Sequence, residues 1–361
     1  MRNTHITIDL SALSHNLQRV KTYAPTAKVL AMVKANAYGH GAVGCLPALQ
    51  QADALGVACL AEAVELQQAG WQKPLVLIEG AFSSAEWQYT LPYPIDCVIH
   101  EPRQLEWALS QIPNTQKTVW LKLNTGMNRL GFAANEIIPI AKQLDKAGYS
   151  IVLITHFANA DVVDHPKNQQ QYALFDEVMM QLHTQVNPTI QGSLCNSAGI
   201  VNWQSRHYDW VRPGIILYGA SPVAHACAQQ LGLKPVMHFD ASIIATHDVQ
   251  VGESVGYGSR WTASSPARIG IVSAGYADGY PRVISEAAYV MIDNQQAPII
   301  GRVAMDMLMV NLSHLPQAGI GTGVNLWGDA PSIEEVAAWN DTISYELLSV
   351  VTARPTRLYR P

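Results

Sequence analysis

The pattern of hydrophobic and polar positions along the chain changes near residue 232. Before that point, short and nearly continuous apolar runs alternate with stretches of helical periodicity. Eight of the apolar runs are predicted strands, at residues 29–34, 54–58, 75–79, 96–100, 119–124, 151–156, 193–195 and 211–218. Apolar strands separated by crossover helices are typical of a parallel sheet buried on both faces, and eight such units close into a (β/α)8 barrel.

After residue 232 the chain alternates apolar residues with polar and turn residues and has few helical periods. This pattern predicts a mostly antiparallel β domain, with helices only at 332–340 and 344–352. We therefore predict an α/β protein whose barrel spans residues 1–232 and whose β domain spans residues 233–361. Residues 1–10 are a candidate for pairing with the second domain.

Composition narrows the classes of function. The 361 residues are 48% hydrophobic and 14% charged, which favours a large core and argues against disorder. A net charge of −5, without a Lys/Arg run, argues against nucleic-acid binding. The five cysteines form no C-x-x-C pair and no apolar segment approaches about 18 residues. We therefore expect a cytoplasmic protein with reduced thiols and no membrane segment, and the low charge density favours an oligomer.

Functional groups stand at the ends of several predicted strands. They are Lys34, His156, Asn196, Ser197, Arg212 and Gly214. Because active sites of such barrels lie at the carboxyl ends of the strands, we expect these groups to converge. The loops after the seventh and eighth strands commonly bind phosphate. An amine beside a phosphate site indicates a phosphorylated aldehyde held as a Schiff base, and pyridoxal phosphate fits that description.

Each of these residues has a simpler explanation when taken alone. A lysine at a strand end usually extends its amine to solvent. His156 would then be a hydrogen-bonded histidine of the core, and Ser197 part of an ordinary turn. It is the shared position of the groups at one end of the barrel that favours a site.

Motifs spread along the whole chain resemble those of one enzyme family. In chain order they are "AMVKANAYGHG", "LKLNTGMNRLGF", "THFANAD", "CNSAG", "VRPGIILYG", "GESVGYGSRW", "GYADGYPR", "GRVAMDM" and "SYELL". Together they are similar to those of the alanine racemases, pyridoxal-phosphate enzymes built from a barrel and a β domain. The resemblance implies an isomerase that interconverts L- and D-alanine, in a homodimer with shared active sites. It leaves two roles open, D-alanine supply for peptidoglycan and alanine catabolism.

The resemblance also implies two catalytic groups. Lys34 would carry the cofactor as a Schiff base and act as one acid–base group, and Tyr257 would be the other, reaching the site of the partner subunit. Two groups are needed because inversion removes a proton from one face of Cα and delivers one to the other. A free phenol has a pKa of about 10, so Tyr257 needs a charged neighbour. The family places His156 there, linked to Arg212.

Cofactor contacts follow from the same resemblance. Arg212 would donate to the pyridine nitrogen without giving up a proton, which weakens the ring as an electron sink. The alternative is a structural ion pair with Asp209. The resemblance assigns phosphate and cofactor binding to Tyr38, Asn196, Ser197, Tyr345 and the backbone of Gly214 and Ile215.

Substrate recognition is implied for Arg129, which would bind the carboxylate, and for the backbone of Met305 of the partner chain. Lys122 matches a lysine that is carbamylated in several relatives, and the alternative is an unmodified lysine. Positions that line the channel to the active site in the family are matched by Asp161, Tyr276, Arg282 and Arg302. No metal is expected.

Three other functions are alternatives to racemisation of alanine. A pyridoxal-phosphate decarboxylase of similar fold would carry a catalytic cysteine in the second domain, but every cysteine here lies at or before Cys227. A second alternative is a racemase for another amino acid, such as serine, or one of broad specificity. Broad-specificity members tend to be exported, with a signal peptide and paired cysteines, and we expect neither here. A single-barrel cofactor-binding protein would have neither the second domain nor Tyr257.

Overall fold

The first strand belongs to the C-terminal sheet, and the barrel sheet follows it in the chain. The computed structural model describes residues 3–283 and 285–361. Strand β1 (His5–Asp9) lies in the C-terminal sheet, and helix α1 (Leu10–Tyr23) follows it directly. Asp9 makes this junction, because its Oδ1 accepts a hydrogen bond from the backbone N of Ala12 at 2.8 Å and so caps the helix.

Eight short strands, most of them apolar, then form a parallel sheet that closes almost completely into a barrel. They are β2 (Lys28–Met32), β3 (Ala54–Val57), β4 (Leu75–Leu77), β5 (Ile95–Ile99), β6 (Thr118–Lys122), β7 (Ser150–Ile154), β8 (Gln191–Ser193) and β9 (Trp210–Val211). Neighbours pair in chain order from β2 to β8, and β9 pairs with β2. The seam between β8 and β9 is held by the N of Asp209, which donates to the carbonyl oxygen of Gly192 at 3.1 Å. The predicted barrel fold is confirmed.

Helical segments connect the barrel strands, and the longer ones, such as α7, pack on the outer face of the barrel. They are α2 (Lys34–Tyr38), α3 (Ala42–Cys45), α4 (Leu60–Gln68), α5 (Ser84–Thr90), α6 (Pro102–Ser110), α7 (Ala134–Lys146), α8 (Pro166–Gln185) and α9 (Ser197–Asn202). In α7 the buried residues Ile137, Ile140, Ala141 and Leu144 follow the spacing of a single helix face. That spacing explains why the helix packs with one side on the barrel.

The first and sixth barrel strands end earlier than predicted. β2 ends at Met32 and β7 at Ile154, so Lys34 and His156 lie two residues beyond their strands. Val33 has φ −121° and ψ 12°, which is outside the extended region. This residue turns the chain out of the sheet before the lysine.

The predictions for the last two barrel strands were wrong in their bounds. β8 ends at Ser193, where the predicted strand was to begin, and β9 covers only Trp210–Val211. Pro213 has no N–H to contribute to the ladder. The chain leaves the sheet there, and Ile215–Tyr218 forms a short 3-10 turn instead of a strand.

The C-terminal part is a second, eight-stranded sheet with two helices. Its remaining elements are β10 (Met237–Val249), β11 (Ser254–Val255), β12 (Trp261–Thr262), β13 (Ala267–Val272), β14 (Tyr289–Ile292), β15 (Gln295–Ile300), β16 (Leu308–Asn311), β17 (Gly323–Trp327), α10 (Ile333–Trp339), α11 (Ser344–Ser349) and β18 (Thr356–Arg360). The strand order is β13-β16-β15-β14-β17-β10-β1-β18, and β11 and β12 form a separate pair. All pairs are antiparallel except β1 with β18. The mostly β character predicted for this part is confirmed, and the boundary between residues 232 and 233 stays a prediction.

Within residues 3–283 and 285–361, no helix combines the length and apolar character needed to cross a membrane. Across the same residues, His, Cys, Asp and Glu side chains form no group of three or more suited to holding a metal ion.

Candidate active site

The segment after the first barrel strand is a left-handed helical turn. Ala35, Asn36, Ala37 and Tyr38 have φ between 51° and 54°. Each such residue costs roughly 1–2 kcal/mol, so the turn costs about 4–8 kcal/mol and persists only because its surroundings impose it. Residues four apart on a helical turn lie on one face. The turn therefore presents Lys34 and Tyr38 on the same side.

A cavity of about 320 Å³ lies at the carboxyl ends of the barrel strands. Many of the predicted site residues line it, namely Lys34, Tyr38, Arg129, His156, Asn196, Ser197, Arg212, Gly214 and Tyr345. A larger cavity of about 790 Å³ lies between α10 and the loop after Tyr218, and none of the predicted site residues lines it. The convergence of chemistry, and not cavity size, makes the smaller cavity the candidate active site.

Arg212 is a buried cation, and none of the described residues offers it a carboxylate partner. Its side chain is 4% exposed, and its Nη1 donates to the Oγ of Ser193 at 2.6 Å while its Nη2 donates to the carbonyl oxygens of Thr155 at 2.5 Å and Leu194 at 3.2 Å. The carboxylate of Asp209 instead accepts from the N of Gly192 at 2.7 Å. The structural ion pair considered for Arg212 is therefore absent. Burial lowers the pKa of Arg212 to about 10, which leaves it charged at neutral pH.

The charge of His156 is set first by its burial and then by the cations around it. Burial, and then the charges of Arg212, Lys122, Arg129 and Lys34, hold the pKa of His156 well below its usual value. The imidazole is therefore neutral at neutral pH. The positive potential at this wall of the cavity comes from the arginines and lysines.

Lys122 is the last residue of β6 and lies in a small adjoining cavity with Arg129 and His156. Its side chain is 6% exposed. Burial lowers the pKa of Lys122 to about 7, with smaller contributions from the charges of Arg212, Arg129 and Lys34. Its amine is therefore partly neutral, and nucleophilic, at neutral pH.

In the 320 Å³ cavity, hydrogen-bond donors gather around Tyr38, Ser197 and Gly214. The N of Gly214 donates to the Oγ of Ser197 at 2.8 Å, and a Cβ on Gly214 would lie 2.5 Å from the Oη of Tyr38. Only glycine lets the phenol approach the backbone this closely. Burial raises the pKa of Tyr38 to about 12, so the phenol stays protonated and can donate. A hydroxyl, a phenol and a backbone N–H at one place suit a phosphate group.

Asn196 and Ile215 frame this end of the cavity. Asn196 caps α9, because its Oδ1 accepts from the N of Gly199 at 3.0 Å. Ile215 is fully buried and begins the 3-10 turn that follows Gly214. These contacts fix the positions of Ser197 and of the glycine backbone.

Comparison with known proteins decides the family. A family model described as the alanine racemase N-terminal domain matches residues 8–222, and one described as the C-terminal domain matches residues 236–359. The chain belongs to the alanine racemase family. An alanine racemase of Psychrobacter sp. (strain PRwf-1) is 52% identical to it over 371 residues, covering 99% of each chain. Identity at this level, over 99% of both chains, supports the same family assignment.

Two solved structures of alanine racemases share the whole fold. The biosynthetic alanine racemase of Pseudomonas aeruginosa has a TM-score of 0.94 and 44% identity, covering 100% of both chains. The alanine racemase of Bartonella henselae, solved with covalently bound pyridoxal phosphate, has a TM-score of 0.90 and 29% identity, again over 100% of both chains.

Several residues that the alanine racemase resemblance singled out lie outside the cavity of their own chain. On the C-terminal domain these are Tyr257, Tyr276, Arg282, Arg302 and Met305, all exposed. Tyr257 is 72% exposed and Met305 is 52% exposed. The loop that carries Tyr276 contacts the loop that carries Met305, since the N of Tyr276 donates to the carbonyl oxygen of Ala304 at 3.1 Å. Asp161, on the barrel, is exposed and near enough to Tyr345 for its charge to contribute to the raised pKa of that phenol.

Arg354 joins the loops that carry Tyr276 and Met305. Its Nε donates to Asp278 Oδ1 and its Nη1 to Asp306 Oδ1, each at 2.6 Å, and its Nη2 reaches the carbonyl oxygen of Met305 at 3.3 Å. Asp278 is fully buried. A single guanidinium thus fixes both exposed loops relative to each other.

Sequence reasoning missed the residues that hold the predicted ones in place. Ser193 and Thr155 orient Arg212, and a polar residue within the seventh apolar run was the available signal for Ser193. His40 closes the left-handed turn and was visible only as part of the first motif. Arg357 contacts the same turn from 318 residues away, and no local pattern marks a contact of that separation.

Proposed function

We propose that this chain interconverts L- and D-alanine with pyridoxal 5'-phosphate attached through Lys34. The observation that carries the proposal is the left-handed turn, which directs Lys34 and Tyr38 into one cavity beside the donors of Ser197 and Gly214. The space kept free by Gly214 and the buried cation of Arg212 fit the phosphate and ring nitrogen of that cofactor. The covalently bound cofactor of the Bartonella henselae enzyme supports the same choice.

When bound, the cofactor supplies an electron-withdrawing system that makes the substrate Cα–H acidic. Lys34 then holds or delivers a proton at its Nζ on one face of the substrate, and Tyr257 does so at its Oη on the other. Arg212 donates a hydrogen bond to the ring nitrogen but keeps its own proton, since an arginine is hardly ever deprotonated. Because His156 is neutral, its role is to exchange hydrogen bonds with the phenol.

Binding is divided between the two ends of the cavity. Tyr38, Ser197 and Tyr345, with the backbone of Gly214 and Ile215, would hold the phosphate. The N–H of Gly214 donates to the Oγ of Ser197 and so orients that hydroxyl, and Asn196 keeps the start of α9 in place. Arg129 takes the substrate carboxylate, because its planar guanidinium matches two oxygens at once.

A second copy of the chain completes the site. Tyr257 lies outside the cavity of its own chain and is 72% exposed, and the exposed loop of Met305 lies on the same domain. We therefore infer a homodimer in which the partner's Tyr257 and the partner's Met305 enter the cavity. In this arrangement Asp161 and the partner's Tyr276, together with Arg282 and Arg302 of either chain, line the channel to the site.

Lys122 is proposed to be carbamylated. Its amine has a pKa of about 7 and stands among Arg212, Arg129 and Lys34, and within residues 3–283 and 285–361 no acidic neighbour contributes to that pKa. The neutral amine attacks CO2, an N–C bond forms, one C=O electron pair moves to oxygen, and the nitrogen loses a proton to water. The product is an anion, which would pair with Arg129 and orient it. Isotope-labelled bicarbonate should give a carbamate signal by NMR in the wild type and none in Lys122→Met.

We place the enzyme in the cytoplasm and in D-alanine supply for peptidoglycan. The biosynthetic alanine racemase of Pseudomonas aeruginosa, at 44% identity, supports this role over alanine catabolism. A deletion strain that requires D-alanine for growth would agree with it, and a strain that fails only on alanine as carbon source would favour catabolism.

Activity and cofactor are tested together. With pyridoxal phosphate the protein should gain a visible absorption band that borohydride removes, and either enantiomer of alanine should lose its optical rotation. Protein that stays colourless, or leaves optical rotation unchanged, would contradict the proposal. Release of CO2 instead would indicate a decarboxylase, and equal rates with serine would indicate a broader racemase.

The shared site has its own test. Tyr257→Phe should lower racemisation about 100-fold or more and keep the cofactor, since an acid–base group contributes that much. Tyr89→Phe, a change at another exposed tyrosine on the barrel, is the control. Mixing inactive Lys34→Ala and Tyr257→Phe chains should restore part of the activity, because mixed dimers hold one intact site. No recovery despite proven subunit exchange would mean that each chain has a complete site.

A further inference from the structure

His40 is a fully buried histidine that contacts the left-handed turn from inside. Its Nδ1 lies 2.9 Å from the carbonyl oxygen of Ala37 and 2.9 Å from that of Tyr38. A carbonyl oxygen only accepts, so Nδ1 must carry the ring proton and donate to both. Among the residues that the structure describes, none is a hydrogen-bond partner for its Nε2. Both bonds of this side chain are therefore directed at the turn.

The ring of His40 also supports the phosphate end of the cavity. It lies 4.5 Å from the ring of Tyr218, which in turn stacks on the ring of Tyr38 at 4.9 Å. Tyr218 is fixed by its hydroxyl, which donates to the carbonyl oxygen of Met32 at 2.8 Å. A change at His40 would therefore reach Tyr38 by two routes, through the backbone and through the stacked rings.

The C-terminal strand contacts the same turn from outside. The Nε of Arg357 donates to the carbonyl oxygen of Gly39 at 3.0 Å, and the hydroxyl of Tyr359 donates to that of His40 at 3.2 Å. The ring of Tyr359 occupies the space where Gly41 and Gly44 have no Cβ. The turn is thus enclosed between His40 on one side and β18 on the other.

We propose that His40 is a positioning residue whose Nδ1–H fixes the left-handed turn, and thereby the spacing of Lys34 and Tyr38 that cofactor binding requires, with Arg357 and Tyr359 bracing the turn from β18. The proposal rests on the proposed function, because Lys34 and Tyr38 matter together only if one cofactor spans them. Burial lowers the pKa of His40 to about 4, so at neutral pH the ring keeps its single proton for these two bonds.

Two substitutions separate the hydrogen bonds from the ring. His40→Phe keeps an aromatic ring beside Tyr218 but has no donor, whereas His40→Asn has an amide near the Nδ1 position but no ring. His183→Phe is the control, because the Nε2 of His183 bonds the carbonyl oxygen of Ile190 at 2.8 Å at the amino-terminal end of the barrel. Tyr359→Phe removes only the outer hydroxyl and tests the same turn if His40→Phe does not fold.

The first measurement needs no cofactor. Amide hydrogen exchange across residues 35–41 of the cofactor-free protein should be faster in His40→Phe than in the wild type, and close to wild type in His40→Asn. The second is equilibrium binding of pyridoxal phosphate, which should weaken about tenfold or more in His40→Phe, because two hydrogen bonds to buried carbonyls are lost. His40→Asn should recover most of that affinity. Tyr359→Phe should give a smaller increase in the exchange rate and a smaller loss of affinity than His40→Phe.

The outcomes distinguish the proposals. Wild-type affinity in His40→Phe, or equal exchange in all variants, would overturn the role of His40 alone. A His40→Asn protein as impaired as His40→Phe would overturn the assignment to the Nδ1–H donor. A wild-type protein that binds no pyridoxal phosphate would overturn the proposed function and, with it, the reason for positioning the two side chains.

Discussion

The contact between the left-handed turn and α11 can be tested at Gly39. This glycine has φ +80°, and a Cβ there would overlap the carbonyl oxygen of Leu348 in α11. Gly148 has φ +89° and nothing within 4 Å of the same position, so Gly148→Ala has the same backbone cost without the overlap. The pair of alanine variants therefore isolates the effect of the overlap.

The expected losses of stability follow from the cost of the left-handed backbone and the cost of the overlap. The left-handed conformation costs an alanine roughly 1–2 kcal/mol, so Gly148→Ala should lose about that much stability. Relieving an overlap with backbone costs typically another 1–3 kcal/mol, because no rotamer change can remove it. Gly39→Ala should therefore lose about 2–5 kcal/mol. It should also bind pyridoxal phosphate more weakly, since α11 carries Tyr345.

The assay is guanidinium unfolding of the cofactor-free protein, followed by circular dichroism and tryptophan fluorescence, with cofactor binding measured separately. Gly39→Ala should have the lower unfolding midpoint and the weaker binding. Gly148→Ala should bind the cofactor as the wild type does. Equal midpoints for the two variants, or unchanged binding in Gly39→Ala, would refute the reasoning that α11 is seated on the turn.

Three other predictions concern the pH response, the exposed loops and the phosphate end. The pKa of Lys122 is about 7 in the folded protein, below its ordinary value in the unfolded chain, so the unfolded chain binds more protons between pH 7 and about 10. In carbonate-free buffer the free energy of unfolding should therefore rise with pH, by at most about 1.4 kcal/mol per pH unit. Lys122→Met should flatten this slope, and equal slopes in the two proteins would contradict the prediction. Arg354→Met should destabilise the protein by roughly 1–3 kcal/mol, because it removes a partner of buried Asp278. It should also lower kcat/KM without changing the cofactor spectrum. Unchanged kinetics would contradict the proposal that the loops of Tyr276 and Met305 contribute to the site. Gly214→Ala should weaken cofactor binding, and adding Tyr38→Phe should cost less in that background than alone, because the two groups collide; strictly additive losses would argue against the collision.

The sequence indicated the fold well because its signals are local. Short, β-branched and nearly continuous apolar runs favour buried strands, and the alternation after residue 232 suits a sheet with one solvated face. The strand ends were less predictable. Val33 is as apolar as the strand before it, yet its backbone leaves the sheet, and composition does not encode that change.

The site residues came from motifs, whereas the contacts that hold them did not. Lys34 lies two residues beyond β2 and Arg212 directly follows β9, at the end of the barrel where such folds are known to place their chemistry. The left-handed turn could not be predicted, because alanine and asparagine do not require it and the imposing contacts come from His40 and the distant β18. The neutral state of His156 depends on its burial and then on the charges of Arg212, Lys122, Arg129 and Lys34, and only the assembled barrel provides both.

The central claim is that Lys34, presented by the left-handed turn, is the amine that carries the cofactor. Lys122 makes this a real choice, because it is a second amine beside the same site with a pKa of about 7. The most direct measurement is borohydride reduction of the cofactor-loaded protein, followed by digestion and mass spectrometry of the labelled peptide. The account predicts a pyridoxyl group on Lys34 alone. A pyridoxyl group on Lys122, or no labelled peptide at all, would contradict it.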